Sequence, residues 1–459
     1  MRNRTSSTFL PPGPRPLPLL GNVLAFRRDP LLFIRTLQHR YGHMATIYMG
    51  KIPIVLCFRP EHIRYVLVEH PRNFVKPNIR GGNNLRYLLG DGLLTSDGDF
   101  HRQQRRLVQP AFHKKRVENY ANVMLRFTEE MLDSWKPGSE IDIAAAMQNL
   151  TLRIITKTLF NVDSAETTAE LGKAFTAVIE NSPRFASRWG RSHLNQTYQR
   201  RMNGKQTLDT FVYKLIAERR QTGQDMGDVL SMLLEAQDDG LSMTDKQIHD
   251  QVLTFVAAGH ETAQNTLSWT FCLLSRNPEA RQNLQQELRQ VLNGRTPTVE
   301  DLASLPYLEA VLNESWRFYP PAWTQSRRAV EAFEMDGYRL PAGTVVMLPQ
   351  WVLHNLNDIW GDPQNFRPER WLNEQEKKAS QGAYFPFGAG PRICIGMPFA
   401  QMEARLLLAT ILQRYTPQLV SDFPVVLQPR VTLRPKYGMR MILQPAEQIS
   451  QGVATAGSH

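Results

Sequence analysis

Cysteine is scarce in this sequence, with three residues among 459. So small and odd a number argues against a disulfide framework and favours a reducing compartment, and we therefore expect a cytoplasmic protein. The first ten residues contain no apolar segment, which predicts neither a signal peptide nor a membrane anchor. Low-complexity linkers and repeats are also missing. Residues 1–459 are therefore predicted to form a single domain.

Acidic residues are outnumbered, with 43 Asp and Glu against 54 Lys and Arg, which gives a net charge of +11. Such a charge suits a nucleic acid, an anionic membrane or an acidic protein as partner. The basic residues are dispersed and no nucleic-acid motif accompanies them, so we expect no nucleic-acid partner. An acidic protein partner is favoured.

The most unusual local composition lies at residues 387–396, which include three glycines and one proline. This composition excludes a regular helix or strand and predicts a tight loop. A helix should follow, because Pro398 suits a first helical turn. Cys394 would precede that helix, where backbone N–H groups and the helix dipole favour a thiolate. Cys394 is thus a candidate nucleophile or metal ligand, whereas Cys57 and Cys272 lie in apolar runs typical of a core.

A long helix is predicted over residues 244–276, where Thr244 and Gln247 form a capping-box pattern. Small residues and an acid, Glu261, interrupt its apolar centre at some cost in helix stability. The hydroxyl of Thr262 has two interpretations. It either bonds to the carbonyl four residues earlier or forms an acid–alcohol pair with Glu261.

The rest of the chain predicts a fold that is mainly α with a smaller β region, in the α+β class. Residues 1–22 are rich in proline and should be extended. Residues 44–49 and 52–57 read as a β-hairpin. Residues 117–236 are mostly helical in pattern, and residues 447–459 are predicted to be a disordered tail.

The pattern F-G-x-G-x-R-x-C-x-G around Cys394 resembles the haem-binding signature of the cytochrome P-450 (haem-thiolate monooxygenase) superfamily. Three further segments are similar to motifs of that family, in the expected order. They are Ala258 to Thr262, with Ala263 where the family has Thr or Ser; Glu314 to Arg317; and Pro368 to Trp371, with Trp in place of Phe.

The resemblance implies haem b between the long helix and the cysteine loop, with iron ligated by the Cys394 thiolate. Glu261 and Thr262 would be catalytic and would organise protons. Glu314, Arg317 and Arg370 would form a buried structural triad that holds the loop. Further cofactor contacts would come from His101, where the family usually has Trp, and from Arg105, Ala258, Gly259, Arg327, Phe387, Arg392 and Gly396. The substrate pocket would be lined by Leu85, Leu88, Phe255, Ala322, Trp323, Thr324 and Tyr437.

The function implied by the resemblance is insertion of one oxygen atom from O2 into a C–H bond or double bond of a hydrophobic small molecule, such as a fatty acid or terpenoid. The thiolate ligand favours O–O cleavage. No G-x-G-x-x-G fingerprint is present, so the electrons should come from a separate partner. We expect a monomer that uses an acidic ferredoxin or flavodoxin with an NAD(P)H-dependent reductase.

Two alternatives stay open at this point. The same scaffold could use peroxide or catalyse a redox-neutral rearrangement, although the intact Glu261 and Thr262 pair counts against both reactions. A haem protein without enzymatic activity, such as a sensor, is the alternative from a different functional class.

Overall fold

The computed structural model describes residues 10–77, 85–180, 191–238 and 240–446. The chain divides into two compact units, each built from two stretches of sequence. The first unit comprises Met1–Pro77 and Glu314–Cys394, and the second comprises Asn78–Asn313 and Ile395–His459. The single domain over residues 1–459 stays a prediction, and the predicted tail at residues 447–459 lies outside the described residues.

Helices make up most of the described chain. In chain order, the α-helices are α1 (Val23–Arg28), α2 (Pro30–Tyr41), α3 (Pro60–Arg64), α4 (Leu85–Leu89), α5 (Gly98–Val108), α6 (Lys114–Glu118), α7 (Ala121–Ser134), α8 (Ile143–Phe160), α9 (Ala165–Glu180), α10 (Arg191–Thr222), α11 (Val229–Glu235), α12 (Asp245–Arg276), α13 (Pro278–Leu292), α14 (Pro306–Phe318), α15 (Gln350–Leu353), α16 (Asn357–Trp360), α17 (Glu374–Ala379) and α18 (Met397–Arg414). Short 3₁₀ or π turns occupy Tyr65–Glu69, Gln109–Phe112, Glu300–Ser304, Pro368–Trp371 and Gly390–Arg392.

The strands are shorter and fewer. They are β1 (Met44–Met49), β2 (Ile52–Cys57), β3 (Phe74–Val75), β4 (Glu140–Asp142), β5 (Gln237–Asp238), β6 (Leu241–Ser242), β7 (Gln325–Ala329), β8 (Phe333–Met335), β9 (Tyr338–Leu340), β10 (Val345–Leu348), β11 (Tyr415–Leu419), β12 (Leu427–Pro429), β13 (Leu433–Pro435) and β14 (Arg440–Pro445). This mainly α structure with a smaller β part confirms the predicted fold class.

The first unit is built on a five-stranded sheet in the order β1-β2-β10-β7-β3. β1 and β2 form the predicted hairpin, in which Met44 pairs with Cys57 and Met49 pairs with Ile52. β10 lies parallel to β2 and antiparallel to β7. One face of this sheet carries a buried cluster that includes Cys57, Phe74 and Leu348. The sheet therefore provides a rigid support for the segments between its strands.

The proline-rich segment ends in a turn before residue 22. Residues 10–16 form no helix or strand, but Leu17 and Gly21 pair with each other through two backbone hydrogen bonds of 3.0 and 2.8 Å. Prolines keep the first part extended, whereas Gly21 adopts a φ of 62° that closes the turn. The predicted extended segment thus differs from the structure at its last residues.

The second unit contains α12, the long predicted helix. The hydroxyl of Thr244 accepts from the N–H of Gln247, whose side chain accepts from the N–H of Thr244, which is the predicted capping box. The helix ends at Arg276, because Asn277 and Pro278 follow. Nearly all of its length is buried against α8, α10, α18 and neighbouring strands. A helix so enclosed provides fixed positions for polar side chains.

Candidate functional site

The loop that carries Cys394 is a tight turn at the end of the first unit. The N–H of Cys394 donates to the carbonyl of Phe387 at 2.9 Å, and Gly388 and Gly390 have φ angles of 76° and 68°. A Cβ at Gly390 would lie 1.9 Å from the carbonyl oxygen of Leu67, so only glycine fits there. The backbone is thereby fixed, while the Cys394 side chain is exposed.

The other two cysteines have a different environment. Burial, followed by the charge of Asp336, raises the pKa of the Cys57 thiol far above its usual range. Burial raises the pKa of Cys272 to about 11. Both thiols therefore stay protonated at neutral pH. Cys394 instead lies three residues before Met397, the first residue of α18.

Two further residues of the predicted cofactor site lie near this helix start. Gly396 caps α18, and its carbonyl accepts from the N–H of Ala400 at 2.9 Å. Arg392 is half-buried and ends the short 3₁₀ turn before Cys394. The sequence thus places a cation and a helix N-terminus on either side of the thiol, and both favour its ionised form.

Side chains of the first unit brace the start of the cysteine loop. Gln350 donates from Nε2 to the carbonyl of Phe385 at 2.5 Å, and the N–H of Phe385 donates to His354 Nε2 at 3.2 Å. Trp316 packs edge-on against Phe387, with ring centroids 5.1 Å apart. Burial, with the charge of a neighbouring guanidinium, lowers the pKa of His354 to about 3. The neutral ring can therefore accept this backbone hydrogen bond.

Arg327 connects to the same loop through amide side chains. It is buried on β7 and donates to the carbonyl of Ser326 at 3.0 Å and to Gln325 Oε1 at 3.3 Å. Gln325 in turn donates to Gln350 Oε1 at 3.2 Å, and a Cβ at Gly388 would lie 3.3 Å from Gln325 Nε2. The buried guanidinium of Arg327 is thus connected to the cysteine loop through the side-chain amide of Gln325, which lies beside Gly388.

Glu314, Arg317 and Arg370 are brought together in a buried network. Arg317 donates from Nε and Nη2 to the two carboxylate oxygens of Glu314 at 2.9 and 2.8 Å, and Arg370 Nε donates to Glu314 Oε1 at 3.1 Å. The indole of Trp371 donates to Glu314 Oε2 at 2.9 Å, and Arg370 also bonds to Asp362 at 3.0 Å. Bidentate geometry with extra donors satisfies the buried carboxylate.

This network reaches the cysteine loop through His354. Arg317 Nη1 donates to the backbone carbonyl of His354 at 2.9 Å, while the ring of His354 accepts from Phe385. Sequence reasoning missed His354, Gln350 and Asp362, because no spacing within the sequence marks their contact with residues distant along the chain. The only signal in the sequence was weak: His354 is a histidine that lies between the motifs of Arg317 and Arg370.

In the second unit, the centre of α12 has an open face of small residues. Ala258 is exposed and Ala257 and Gly259 are half-exposed, although most of the helix is buried. A Cβ at Gly259 would lie 2.5 Å from Ile155 Cδ1 on α8, so Gly259 permits close approach of the two helices. Gly259 therefore has a packing role of its own, and its cofactor contact stays a prediction, as does that of Ala258.

The hydroxyl of Thr262 bonds within its own helix. It donates to the carbonyl of Ala258 at 2.6 Å and approaches that of Gly259 at 3.3 Å. Thr262 is half-exposed, one turn beyond the open Ala258 face. The first of the two interpretations of Thr262 is thus the arrangement observed, and its part in proton supply stays a prediction.

Glu261 is buried and bonds across the second unit. Its Oε1 accepts from the hydroxyl of Thr432 at 2.7 Å, and Asn265 Nδ2 donates to the same hydroxyl oxygen at 3.0 Å. Thr432 lies in the connection between β12 and β13. Adjacent helix residues point about 100° apart, so Glu261 and Thr262 bond to different partners. Sequence reasoning missed Thr432 and Asn265, although Asn265 follows Glu261 by one helical turn.

His101 and Arg105 lie one turn apart on α5, as predicted from their spacing. His101 is buried and Arg105 is half-exposed. Gln104 between them accepts from Gln251 Nε2 of α12 at 3.0 Å, and Gln251 Oε1 accepts from the N–H of Leu93. These bonds fix α5 against α12. The propionate contacts of His101 and Arg105 stay predictions.

The predicted pocket residues have varied environments. Leu88 and Phe255 are buried in the second unit, where Phe255 packs edge-on against Phe112 at 5.1 Å. Leu85 is half-buried, and Tyr437 is exposed with its ring beside Lys436. In the first unit, Trp323 is buried and Ala322 and Thr324 are half-buried. A shared pocket for these seven residues stays a prediction.

Cys394 and Arg327 fit a planar cofactor that is ligated by a thiolate and carries acidic side groups. The exposed Cys394 lies on a loop in which a Cβ at Gly390 would not fit. The buried guanidinium of Arg327 lies near that loop. Haem provides an iron for the sulfur and propionates for the cation. The residues present therefore suit haem.

Comparison with known sequences identifies the chain. Residues 11–441 match the sequence profile described as Cytochrome P450. Cyclooctat-9-en-7-ol 5-monooxygenase of Streptomyces melanosporofaciens is 36% identical over 88% of this chain and 88% of its own length, and cyclooctatin synthase of the same organism is 37% identical over 94% and 95%. Pentalenene oxygenase of Streptomyces avermitilis is 33% identical over 92% of each chain. The protein belongs to the cytochrome P450 family.

Membership defines the class of chemistry. The protein is a haem-thiolate monooxygenase, which is an oxidoreductase. The family uses O2, a hydrophobic substrate and redox partners. The family's haem iron is ligated by a cysteine thiolate. Among the described residues, no helix combines the length and the apolar character needed to span a membrane. The cytoplasmic location stays a prediction.

Proposed function

We propose that this protein inserts one oxygen atom from O2 into a C–H bond or double bond of a terpenoid, with haem b ligated by Cys394. The observation that carries this proposal is the exposed Cys394 on a braced, glycine-dependent loop, in contrast to two buried cysteines. The names of three relatives support a terpenoid substrate over a fatty acid, because they act on pentalenene or cyclooctat-9-en-7-ol or form cyclooctatin.

Haem, when bound, supplies the oxidising chemistry, since no protein side chain activates O2 for attack on a C–H bond. In this proposal the Cys394 thiolate would ligate the iron, and the cations of Arg105, Arg327 and Arg392, with His101, would bind the propionates. The exposed Ala258 leaves room beside α12, and Gly259, Phe387 and Gly396 are the further residues proposed to contact the cofactor.

Proton supply is assigned to α12. Thr262 presents its hydroxyl beside the open Ala258 face, and Glu261 is the adjacent carboxyl group. We assign Thr262 a hydrogen bond toward the reaction site once its hydroxyl leaves the Ala258 carbonyl. Glu261, which accepts from the Thr432 hydroxyl that Asn265 also bonds to, is the acidic group next to it on the helix. In this proposal α12 thereby organises protons for the reaction.

Substrate binding is assigned to apolar side chains. In the second unit the proposed contacts are Leu85, Leu88 and Phe255, and in the first unit they are Ala322, Trp323 and Thr324. Tyr437 is the least buried of the predicted set. Terpenoids have few polar groups, so an apolar lining binds them by excluding water rather than by charge.

We propose that an acidic ferredoxin or flavodoxin with an NAD(P)H-dependent reductase supplies the electrons. We also propose that this protein is a monomer. The net charge of +11 supports an acidic partner. A peroxide-driven or redox-neutral reaction is the alternative, and the presence of both an acid, Glu261, and an alcohol, Thr262, on α12 counts against it. Named monooxygenases among the relatives argue against a sensor without activity.

The ligand assignment is tested by the absorption spectrum of the dithionite-reduced protein with carbon monoxide. We expect a strongly red-shifted Soret band in the wild type and in Cys272→Ala, and its loss in Cys394→Ala. Cys272 is a matched control because it is a buried thiol on α12. A red-shifted band that survives Cys394→Ala would show that another group ligates the iron.

The substrate assignment is tested by titration of the iron spin state with pentalenene, cyclooctat-9-en-7-ol and a saturated long-chain fatty acid. We expect a low-spin to high-spin shift with the terpenoids and a hydroxylated or epoxidised product with reductase and NADPH. A shift with the fatty acid alone would overturn the terpenoid proposal. Product formed with hydrogen peroxide, but not with reductase and O2, would favour the alternative reaction.

A further inference from the structure

One face of α12 is bonded to the connection between β12 and β13 at three successive helical turns. Glu261, Asn265 and Trp269 follow one another at a spacing of four residues, so they lie on one face of the helix. Glu261 and Asn265 both bond to the hydroxyl of Thr432. The indole of Trp269 donates to the carbonyl of Leu433 at 2.9 Å. The connection is therefore held at a defined position along α12.

Asn265 determines the direction of the hydrogen bonds at Thr432. The amide nitrogen of Asn265 only donates, so the Thr432 hydroxyl oxygen accepts from it at 3.0 Å. A hydroxyl has a single proton, and Thr432 donates that proton to Glu261 Oε1 at 2.7 Å. All three side chains are buried, where a hydrogen bond is electrostatically stronger than in water. The Thr432 hydroxyl is thus committed to Glu261.

Glu261 depends on this one donor. Among the residues that the structure describes, Thr432 is the only side chain that donates to the Glu261 carboxyl group. The adjacent hydroxyl of Thr262 instead donates to the carbonyl of Ala258 at 2.6 Å. A buried carboxyl group without a hydrogen-bond donor is costly, so the position of Thr432 determines where the Glu261 carboxyl group lies.

We propose that Thr432 is a positioning residue for the reaction, because its hydroxyl holds the Glu261 carboxyl group in place on α12. This inference rests on the proposed function, in which Glu261 and Thr262 organise protons. Without the Thr432 hydroxyl, the carboxyl group turns to other rotamers and the proton supply loses its geometry. Two electrons and two protons then convert O2 to hydrogen peroxide, which leaves in place of the oxygenated product. Thr432 acts through Glu261 and does not touch the reacting atoms.

The contact is tested without turnover, by the infrared difference spectrum between each haem-loaded protein and the same protein with Glu261→Gln added. Thr432→Val replaces the hydroxyl by a methyl group, so we expect the carboxyl bands of Glu261 to shift. Thr432→Ser keeps the hydroxyl and should keep the wild-type bands. Trp269→Phe is the matched control, because it removes a buried bond to the same connection and should leave the bands in place. Unchanged bands in Thr432→Val would overturn the proposal.

The consequence for the reaction is measured as product formed per NADPH consumed, with reductase, O2 and either cyclooctat-9-en-7-ol or pentalenene. We expect Thr432→Val to lower this ratio by at least about threefold, with hydrogen peroxide in place of product, and Thr432→Ser to restore it to within about twofold of the wild type. Trp269→Phe should lower the thermal midpoint but keep the ratio.

Two results of this measurement separate the role of Thr432 from the proposed function. Product formation by the wild type with an unchanged ratio in Thr432→Val would overturn the role of Thr432 and leave the proposed function standing. A wild type that forms no product from either terpenoid would overturn the proposed function and, with it, the role of Thr432. An equal loss of ratio in Trp269→Phe would assign the effect to a loosened connection and also overturn the proposal.

Discussion

At the scale of single residues, the geometry of the cysteine loop depends on Gly390, where no residue with a Cβ fits. Gly390 combines a positive φ with an approach to the Leu67 carbonyl that leaves no space for a Cβ. Gly382 in the same unit also has a positive φ, of 86°, but its Cβ would lie 3.7 Å from Pro60 Cβ, which is an ordinary contact. Comparing Gly390 with Gly382 therefore separates the effect of a positive φ from the effect of steric exclusion.

We predict that Gly390→Ala loses haem and unfolds at a much lower urea concentration, whereas Gly382→Ala costs only about 1–2 kcal/mol. The larger loss follows because the loop must move away from Leu67 as well as adopt a strained φ. Haem content and the urea midpoint measure both effects. Equal losses in the two variants would show that φ alone matters and that the close approach does not.

Glu314 illustrates how one buried charge can organise several partners. Its carboxylate accepts from Arg317, Arg370 and Trp371 and is fully buried. We predict that Glu314→Gln lowers the free energy of unfolding by about 3–5 kcal/mol, because the buried guanidinium of Arg317 loses its counter-charge and that of Arg370 retains Asp362 but loses Glu314. Glu309→Gln on the same helix should cost below about 1 kcal/mol, since its pair with Arg405 is partly exposed. Chemical denaturation measures both, and similar losses would argue against a buried network.

At the scale of elements, a buried histidine, His249, joins α10 to the start of α12. His249 Nε2 lies 3.1 Å from Asp209 of α10, and Nδ1 lies 3.0 Å from Asp250. The ring stacks on Tyr213 with centroids 4.4 Å apart. Asp250 also accepts from the N–H of Asp91 at 2.8 Å, which ties the segment after α4 to the same point. Lys205 and Lys246 bond to the outer sides of Asp209 and Asp250.

This junction predicts a pH dependence. Burial alone would lower the pKa of His249, but hydrogen bonds and charges from Asp209 and Asp250 outweigh it and raise the pKa. A raised pKa in the folded state means that the stability from the charged ring is complete below the ordinary pKa of about 6.5 and is lost as the pH rises through the folded value. Hydrogen exchange of α10 should therefore quicken with rising pH beyond its intrinsic acceleration.

The matching variants test the source of that effect. His249→Gln should cost about 1–3 kcal/mol at pH 6 and remove the additional pH dependence, because a neutral amide cannot pair with two carboxylates. His39→Gln, which changes an exposed histidine on α2, should keep the wild-type profile. An unchanged exchange profile in His249→Gln would assign the pH dependence to another group.

At the scale of the whole molecule, the excess of positive charge bears on the electron donor. If the donor is an acidic ferredoxin, its rate of haem reduction should fall by about tenfold or more between low and high ionic strength, because screening weakens the attraction between opposite charges. Reduction by a neutral mediator serves as the control and should change little. A ferredoxin rate that is independent of salt would argue against a charge-steered partner.

The sequence alone determined those features that rest on local chemistry. The α12 capping box, the β1–β2 hairpin and the loop before α18 follow from short-range patterns, and the structure shows each of them. The class of enzyme was implied by the resemblance of closely spaced motifs to those of the cytochrome P450 family, and the motif around Cys394 is contained within ten residues. Cys394 could be separated from Cys57 and Cys272 by composition before any burial was known.

Only the tertiary structure decided which distant groups meet. Glu261 binds Thr432, and His354 joins the Glu314 network to Phe385, although no pattern within the sequence connects these positions. Thr262 and Glu261 are neighbours in sequence, yet helix geometry directs them to different partners. Leu19 is 83% exposed at a φ of 61° in the Leu17–Gly21 turn, because burial depends on how the chain packs and not on residue type alone.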